Sequence, residues 1–298
     1  MRILITGATG FIGGHLIRRL GGEHEVFALA KRPPTGRAAG RAVWIEQNLN
    51  DPLDYSRLPA AVDTVVHLAQ SEFYKEFPGR AGDIFGVNVR GTFNLLEYAR
   101  GVGARQFVFT STGGVYGASY EKFVETDPVI PINFYLSSKY IAELLVGNYQ
   151  QFFDTIVFRV FFAYGAGQKN AMLIPRLIRS VLSDTPITLQ GSEGIHINPI
   201  HVSDAVAAIG RALELEGSHL INLAGPQVLS LREIGNVIGG RLGRAPRFTA
   251  SDEPEPYHLV GDITKLKELL GGPLVEFSDG VAEVCSEAER GPAGPDRA

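Results

Sequence analysis

Tyr135 and Lys139 stand four residues apart in Tyr135-Leu136-Ser137-Ser138-Lys139, a spacing that puts both on one face of a helix. A free tyrosine titrates near pH ~10 and is a poor base at neutral pH. A lysine ammonium beside it favours the phenolate and brings the phenol toward the working range. Upstream, Phe107-Val108-Phe109-Thr110-Ser111-Thr112-Gly113-Gly114 reads as a buried strand that ends in hydroxyl residues and then a glycine loop. A hydroxyl at such a strand end can orient a substrate hydroxyl or carbonyl toward the tyrosine. At the chain start, Thr6-Gly7-Ala8-Thr9-Gly10-Phe11-Ile12-Gly13 joins the apolar run Ile3-Leu4-Ile5 to the amphipathic stretch His15–Leu20. Glycines so placed allow a tight turn, close approach of the backbone to a pyrophosphate, and close packing of helix on strand. The first N–H groups of the helix then face the phosphates. Each motif alone is common, and Tyr-x-x-x-Lys is most often a solvated helix face. Together they point to a nicotinamide-dinucleotide enzyme, in which the lysine also serves the cofactor ribose.

These residues need a scaffold, and the pattern of apolar runs supplies one. Strands are expected at Ile3–Thr6, Val26–Leu29, Val43–Ile45, Thr64–Leu68, Gln106–Thr110 and Thr155–Val160, nearly continuous in Val, Ile, Leu and Phe as parallel strands buried on both faces require. Helices are expected between them, clearest at Asn88–Arg100 and Tyr135–Phe152. The alternation implies an α/β fold with a doubly wound parallel sheet. The dinucleotide-binding domain is expected over 1–167, rejoined by about 201–227 through a helix at Asp204–Leu215 and a strand at His219–Leu223. Residues 168–200 and 228–285 read as a smaller, discontinuous substrate lobe, and 286–298 as a disordered tail.

The chain has 298 residues, 45% of them hydrophobic and 20% charged, with a net charge of −4, so nucleic acid and acidic membranes are poor partners. One cysteine, Cys285, excludes an internal disulfide and fits a reducing cytoplasm. No signal peptide, membrane span or metal-ligand spacing is read from the chain.

In order and spacing, these motifs resemble those of the extended short-chain dehydrogenase/reductases, and within them the NAD-dependent epimerase/dehydratase group of nucleotide-sugar enzymes. The resemblance runs from Met1 to about Leu270. It rests on Thr6–Gly13, His67-Leu68-Ala69, Asn88-Val89-x-Gly91-Thr92, Val115-Tyr116-Gly117, Tyr135-x-x-x-Lys139, Arg159 with Tyr164-Gly165, Ile200-His201-Val202-x-Asp204 and Asn222–Gly225. It implies a Rossmann-type fold, with Tyr135 as general acid/base and Lys139 as its electrostatic partner and ribose ligand. Thr112 is the catalytic hydroxyl, with Ser111 its close competitor. The implied cofactor contacts are Gly7, Thr9, Gly10, Phe11, Ile12, Gly13, Asn48, Leu49, Leu68, Ala69, Asn88 and Ser111. The implied substrate contacts are Gln70, Thr112, Tyr116, Phe162 and Asn198. A homodimer through the helices at Asn88–Arg100 and Tyr135–Phe152 is also implied.

Four departures from the family pattern refine the expectation. Where NAD-preferring relatives carry an acidic residue after the second strand, this chain has Ala30 followed by Lys31 and Arg32, a lean toward NADP(H). Asn48-Leu49 replaces the usual Asp-Ile/Leu pair at the adenine. Gly113-Gly114 replaces the Asp-Glu pair of dehydratases, which argues against 4,6-dehydration. Phe162 and Ile197 replace an asparagine and an arginine that commonly hold a nucleotide diphosphate. Lys169, Arg176, Arg179 and Arg232 are the cations available to stand in. The expected activity is an NAD(P)-dependent epimerase or 4-ketoreductase of a nucleotide-linked sugar. Alternatives are an NADPH-dependent reductase of a non-nucleotide carbonyl compound, or a non-catalytic dinucleotide-binding protein, against which Thr112, Tyr135 and Lys139 argue.

Overall fold

The apolar runs fold as strands whose side chains are buried on both faces: Ile3, Leu4 and Ile5 are fully inaccessible, as are Val65, Val66, Phe107, Val108 and Phe109. A computed structural model describes residues 1–34, 41–254 and 256–290. They form two compact units. The first comprises Met1–Gly117, Glu125–Val160 and Val206–Asn222, and the second Ala118–Val124, Phe161–Ala205 and the chain from Leu223 onward.

The first unit is built on strands β1 (Arg2–Thr6), β2 (Glu25–Ala30), β3 (Ala42–Glu46), β4 (Thr64–His67), β5 (Gln106–Thr112) and β6 (Asp154–Val160). Two-residue strands β7 (Ala163–Tyr164), β9 (His196–Ile197) and β10 (Ile200–His201), with β8 (Ile187–Gln190), precede β11 (His219–Leu223). The main sheet runs β11-β6-β5-β4-β1-β2-β3. Every paired strand from β1 to β6 is parallel to its neighbour. Strand order reverses between β1 and β4, the place where an open α/β sheet opens a crevice at its carboxyl ends. Strand β5 runs two residues beyond its expected end, because Ser111 and Thr112 pair in register with Arg159 and Val160. The hydroxyls therefore sit on a rigid strand.

Helix α1 (Phe11–Leu20) buries Gly13, Leu16, Ile17 and Leu20. The segment expected to start as a helix at Asn88 starts earlier, with α2 (Ala81–Phe85), a π-helical turn at Gly86–Arg90, and α3 (Gly91–Gly101). The extra residue of a π turn is invisible to a 3.6-residue periodicity, and such turns concentrate at functional sites. Helix α4 (Phe134–Asn148) begins on Asn133, whose side chain accepts from Leu136 N at 3.0 Å. It ends short of Phe152 in a 3-10 turn, Tyr149–Gln151. Leu4, Leu29, Val65, Leu95, Phe107, Phe109, Ala142 and Val146 form the core beneath α3 and α4, each side chain the size of Leu or Phe stabilising by about 1.5–3 kcal/mol.

In the second unit β7 pairs with β10, β9 with β12 (Leu229–Ser230) and β8 with β13 (Phe248–Ser251). Helices α5 (Leu173–Leu182), α7 (Leu231–Leu242) and α9 (Phe277–Glu289) close a core of Ile178, Val181, Ile187, Ile197, Ile234, Ile238, Phe277 and Val281. Between them in sequence lie α6 (Val202–Ala212), expected at Asp204–Leu215, and α8 (Thr264–Leu270). Residues 286–289, expected in a tail, complete α9, which buries Val284 and Cys285. The rest of that expected tail, 291–298, lies outside the described residues. Burial pushes the Cys285 thiol up to about 11, which leaves it unreactive at neutral pH. Among the described residues no helix is long and apolar enough to cross a membrane, and no group of His, Cys, Asp and Glu could hold a metal.

Candidate active site

The glycine turn closes directly on the switch point. Gly7 has φ +67°, and a Cβ there would lie 2.7 Å from Ala69 N and 2.8 Å from Leu68 C, so only glycine lets the exits of β1 and β4 approach so closely. A Cβ at Gly13 would collide with the Gly7 carbonyl oxygen. Gly10 caps α1 without a side chain, and no acidic residue occupies the first turn. Thr9 and Gly10 are exposed, with Phe11 and Ile12 half-buried behind them. This is a cradle that side chains would fill, at the positive end of a helix, and it fits a pyrophosphate. Nearby, Asn48 accepts from Asn50 N at 3.1 Å while Leu49 is buried.

Asn88 lies in the π turn, buried, where its Oδ1 accepts from Ser71 N at 2.8 Å and its Nδ2 donates to Ser138 Oγ at 2.9 Å. Ser138 in turn donates to the Tyr135 carbonyl at 2.7 Å. Asn88 thus ties the segment after β4 to the helical turn that carries Tyr135.

Tyr135 and Lys139 occupy successive turns of α4. The Tyr135 hydroxyl donates to Gln70 Oε1 at 2.7 Å and its ring packs on Tyr74, 5.2 Å between centroids. Lys139 is 2% exposed, donates to the Thr110 carbonyl at 2.6 Å and lies 4.3 Å from the Phe109 ring centroid. Burial pulls Lys139 down to about 7, with Glu143 opposing. Burial pushes the Tyr135 phenol up, and Tyr74 adds to it. The expectation that Lys139 lowers the phenol is not met here, because the lysine is directed at Thr110 and Phe109 and is itself losing charge to burial.

Of the two candidate hydroxyls, Thr112 Oγ1 accepts from Gly114 N at 3.3 Å and is partly accessible. Ser111 Oγ is buried with no hydrogen-bond partner. Tyr116, expected to touch substrate, belongs instead to the interior. It is 1% exposed, donates to Asn222 Oδ1 at 2.7 Å and lies under the Arg159 guanidinium at 4.4 Å. Behind it is a feature not anticipated from the sequence, a buried ion pair of Arg159 with Glu143 at 2.7 Å, both side chains under a tenth exposed. Glu143 follows Tyr135 and Lys139 at the same four-residue spacing, and that repeat was the available signal.

At the end of β2, Ala30 is buried while Lys31 and Arg32 are exposed. Lys31 pairs with Glu72 at 3.3 Å. In the second unit, Phe162 adopts φ +38°, a strained backbone for a residue of its size. Ile197 is a core residue, fully buried. Asn198, expected to contact substrate, has its amide spent on backbone: Nδ2 donates to Gly261 O at 2.8 Å and Gly225 O at 3.4 Å, and Oδ1 accepts from Gly261 N at 3.0 Å. Among the four cations considered there, Arg232 is held by Ser192 O and Glu193, and Arg179 by Asn170 O.

The chain is 30% identical over 305 residues to an uncharacterised UDP-glucose epimerase of Bacillus subtilis, covering 94% of this chain and 96% of that protein. It is 29% identical to a dTDP-4-dehydro-6-deoxy-D-allose reductase of a Streptomyces species, over 90% of this chain and 88% of the relative. The crystal structure of UDP-glucuronic acid 4-epimerase from Bacillus cereus, in complex with UDP-glucuronic acid and NAD, superposes with a TM-score of 0.86 at 27% identity, covering 97% and 99% of the two chains. Residues 3–224 match the family model of the NAD-dependent epimerase/dehydratases. With that match over most of its length, a parallel sheet switched between β1 and β4 and a glycine turn at the switch, the chain belongs to the NAD-dependent epimerase/dehydratase family.

Proposed function

We propose that the chain is an NAD(P)-dependent epimerase or 4-ketoreductase acting on a nucleotide-linked sugar, with Tyr135, Lys139 and Thr112 as its acid-base set. The observation that carries this reading is the position of Tyr135, hydrogen-bonded to Gln70 just beyond the switch point, with Lys139 one turn behind it. When bound, the dinucleotide supplies hydride acceptance and donation. Gly7, Gly10 and Gly13 would hold its pyrophosphate, Lys139 its ribose, and Asn88 the backbone around it. Tyr135, protonated at neutral pH in this environment, is ready to give its proton to a substrate oxygen as general acid. Thr112 accepts from Gly114 and keeps its own hydrogen to orient that oxygen. The relatives above support a nucleotide sugar as substrate.

Two features at the end of β2 set the cofactor preference in opposite directions. Ala30 offers no carboxylate to a ribose 2′-hydroxyl, and Lys31 with Arg32 suits a 2′-phosphate. Glu72, paired with Lys31, opposes that phosphate by charge. A second reading, reduction of a non-nucleotide carbonyl compound, draws on Ile197, an apolar, fully buried side chain at the position where the family resemblance implies an arginine. A homodimer through α3 and α4 is supported by the exposed Phe93, Ile141 and Leu144.

The test begins with denaturing freshly purified protein and identifying any released dinucleotide by mass. Retained NAD points to an epimerase, and an empty protein that prefers NADPH to a reductase. Tyr135→Phe is then expected to abolish turnover of UDP- and dTDP-sugars while sparing dinucleotide binding. Unchanged turnover in that variant would sink the assignment.

A further inference from the structure

His67 is the last residue of β4, fully buried, and has no part in the acid-base set. Its Nδ1 lies 2.6 Å from Thr6 Oγ1 and its Nε2 lies 2.9 Å from Thr92 Oγ1. Donor counting settles every proton. Thr92 donates its hydroxyl hydrogen to the Asn88 carbonyl at 2.6 Å, so its oxygen must accept from His67 Nε2–H. A neutral ring protonated on Nε2 accepts at Nδ1, so Thr6 donates there. The Thr6 oxygen in turn accepts from Ala69 N at 3.4 Å. Burial, with Lys139 adding, holds the imidazole down to about 3, which keeps it neutral at any working pH.

Beyond the carbonyl the sequence of bonds continues through the same residue. Asn88 Nδ2 donates to Ser138 Oγ, and Ser138 donates to the Tyr135 carbonyl. The result is one unidirectional run from Ala69 N–H through Thr6, His67, Thr92, Asn88 and Ser138 to the backbone of Tyr135. Each hydroxyl in it donates once and accepts once. Thr6 is the residue before the Gly7 turn, and Ala69 is the backbone that Gly7 packs against.

We propose that His67 is a positioning residue, the single ring that couples the glycine turn holding the dinucleotide to the helical turn presenting Tyr135. Its Nδ1 serves the cofactor side and its Nε2 the acid-base side. Rotating or reprotonating the ring would break both halves, since neither threonine can exchange its role without orphaning a buried group. The kinetic arm of the test rests on the proposed activity, and the spectroscopic and binding arms do not.

With 15N-labelled histidine in the full chain, the Nδ1 and Nε2 shifts of His67, assigned by loss in a variant, are expected to show the neutral Nε2–H form with no titration across the neutral range. An Nδ1–H ring or an imidazolium overturns the proposal. Two variants then cut the run at different points. His67→Gln keeps an amide N–H near the Nε2 position and loses the Thr6 contact; His67→Asn keeps an acceptor near Nδ1 and loses Thr92. His67→Gln is expected to weaken NAD(H) or NADP(H) binding about tenfold with turnover at saturating cofactor changed less than about twofold. His67→Asn should do the reverse, lowering turnover about tenfold with cofactor affinity nearly unchanged. If both variants shift both quantities alike, in step with their loss of thermal stability, His67 is only packing and the proposal fails. If the wild-type chain turns over no sugar nucleotide, the proposed activity has failed, while the tautomer and the contrast in cofactor affinity still judge His67.

Discussion

Lys139→Met should make the folded chain more stable while ending turnover, and burial sets the size of the effect. Lys139 is 2% exposed and falls from 10.5 to about 7. At about 1.4 kcal/mol for each tenfold, keeping its ammonium in the fold costs about 5 kcal/mol below pH ~7. Methionine is of similar length, uncharged, and suits the face of Phe109. Losing the bond to the Thr110 carbonyl gives back roughly 1.5–3 kcal/mol, leaving a net gain of about 2–3.5 kcal/mol. The pH dependence has a fixed sign. Between about 7 and 10.5 the unfolded lysine holds its proton and the folded one does not, so the unfolded state binds more protons and wild-type stability rises with pH. The advantage of the variant is therefore largest below pH ~7, shrinks through that window, and reverses once the charge is gone from both states. Urea unfolding of both proteins at about pH 6, 8 and 10 measures this directly, provided the m-values match. A variant less stable than wild type at the lowest pH, or a difference that ignores pH, would refute the reasoning and show that the fold fully compensates the ammonium.

Gly13→Ala gains about 1 kcal/mol of helix propensity but meets the Gly7 backbone at a cost of about 1–3 kcal/mol, a net loss of up to about 2 kcal/mol of stability. Dinucleotide affinity, by calorimetry, should also drop tenfold or more (about 1.4 kcal/mol) because the turn must shift; retained affinity would place the phosphates elsewhere. Glu143→Ala strands the buried Arg159 and should cost about 3–5 kcal/mol in denaturant unfolding, whereas replacing both residues by methionine should restore most of it. A single variant as stable as wild type argues that the pair is solvated. Asn198→Ala should lose about 2–4 kcal/mol of stability with its three backbone contacts; a change confined to KM would return Asn198 to the substrate-binding set.

The amino-acid sequence by itself determined the sheet, the glycine turn and the Tyr135–Lys139 face, because each is written in short-range terms. Runs of Val, Ile, Leu and Phe specify buried parallel strands, glycine spacing specifies the turn, and a four-residue interval specifies one helix face. Even Asn133 as the start of α4 follows from local chemistry. Only the tertiary structure decided the roles of side chains whose partners are distant in the chain. Tyr116 and Asn198 carry groups suited to a ligand, yet Asn222 in one case and the Gly225 and Gly261 backbones in the other claim them. Lys139 looks like a charge for Tyr135 until burial and Thr110 are seen to claim it. The π turn at Asn88, the Glu143–Arg159 pair and the run through His67 all depend on contacts between residues up to 63 positions apart or on one extra residue in a helical turn. Periodicity cannot register either, since hydrogen bonds and desolvation act across space while pattern acts along the chain.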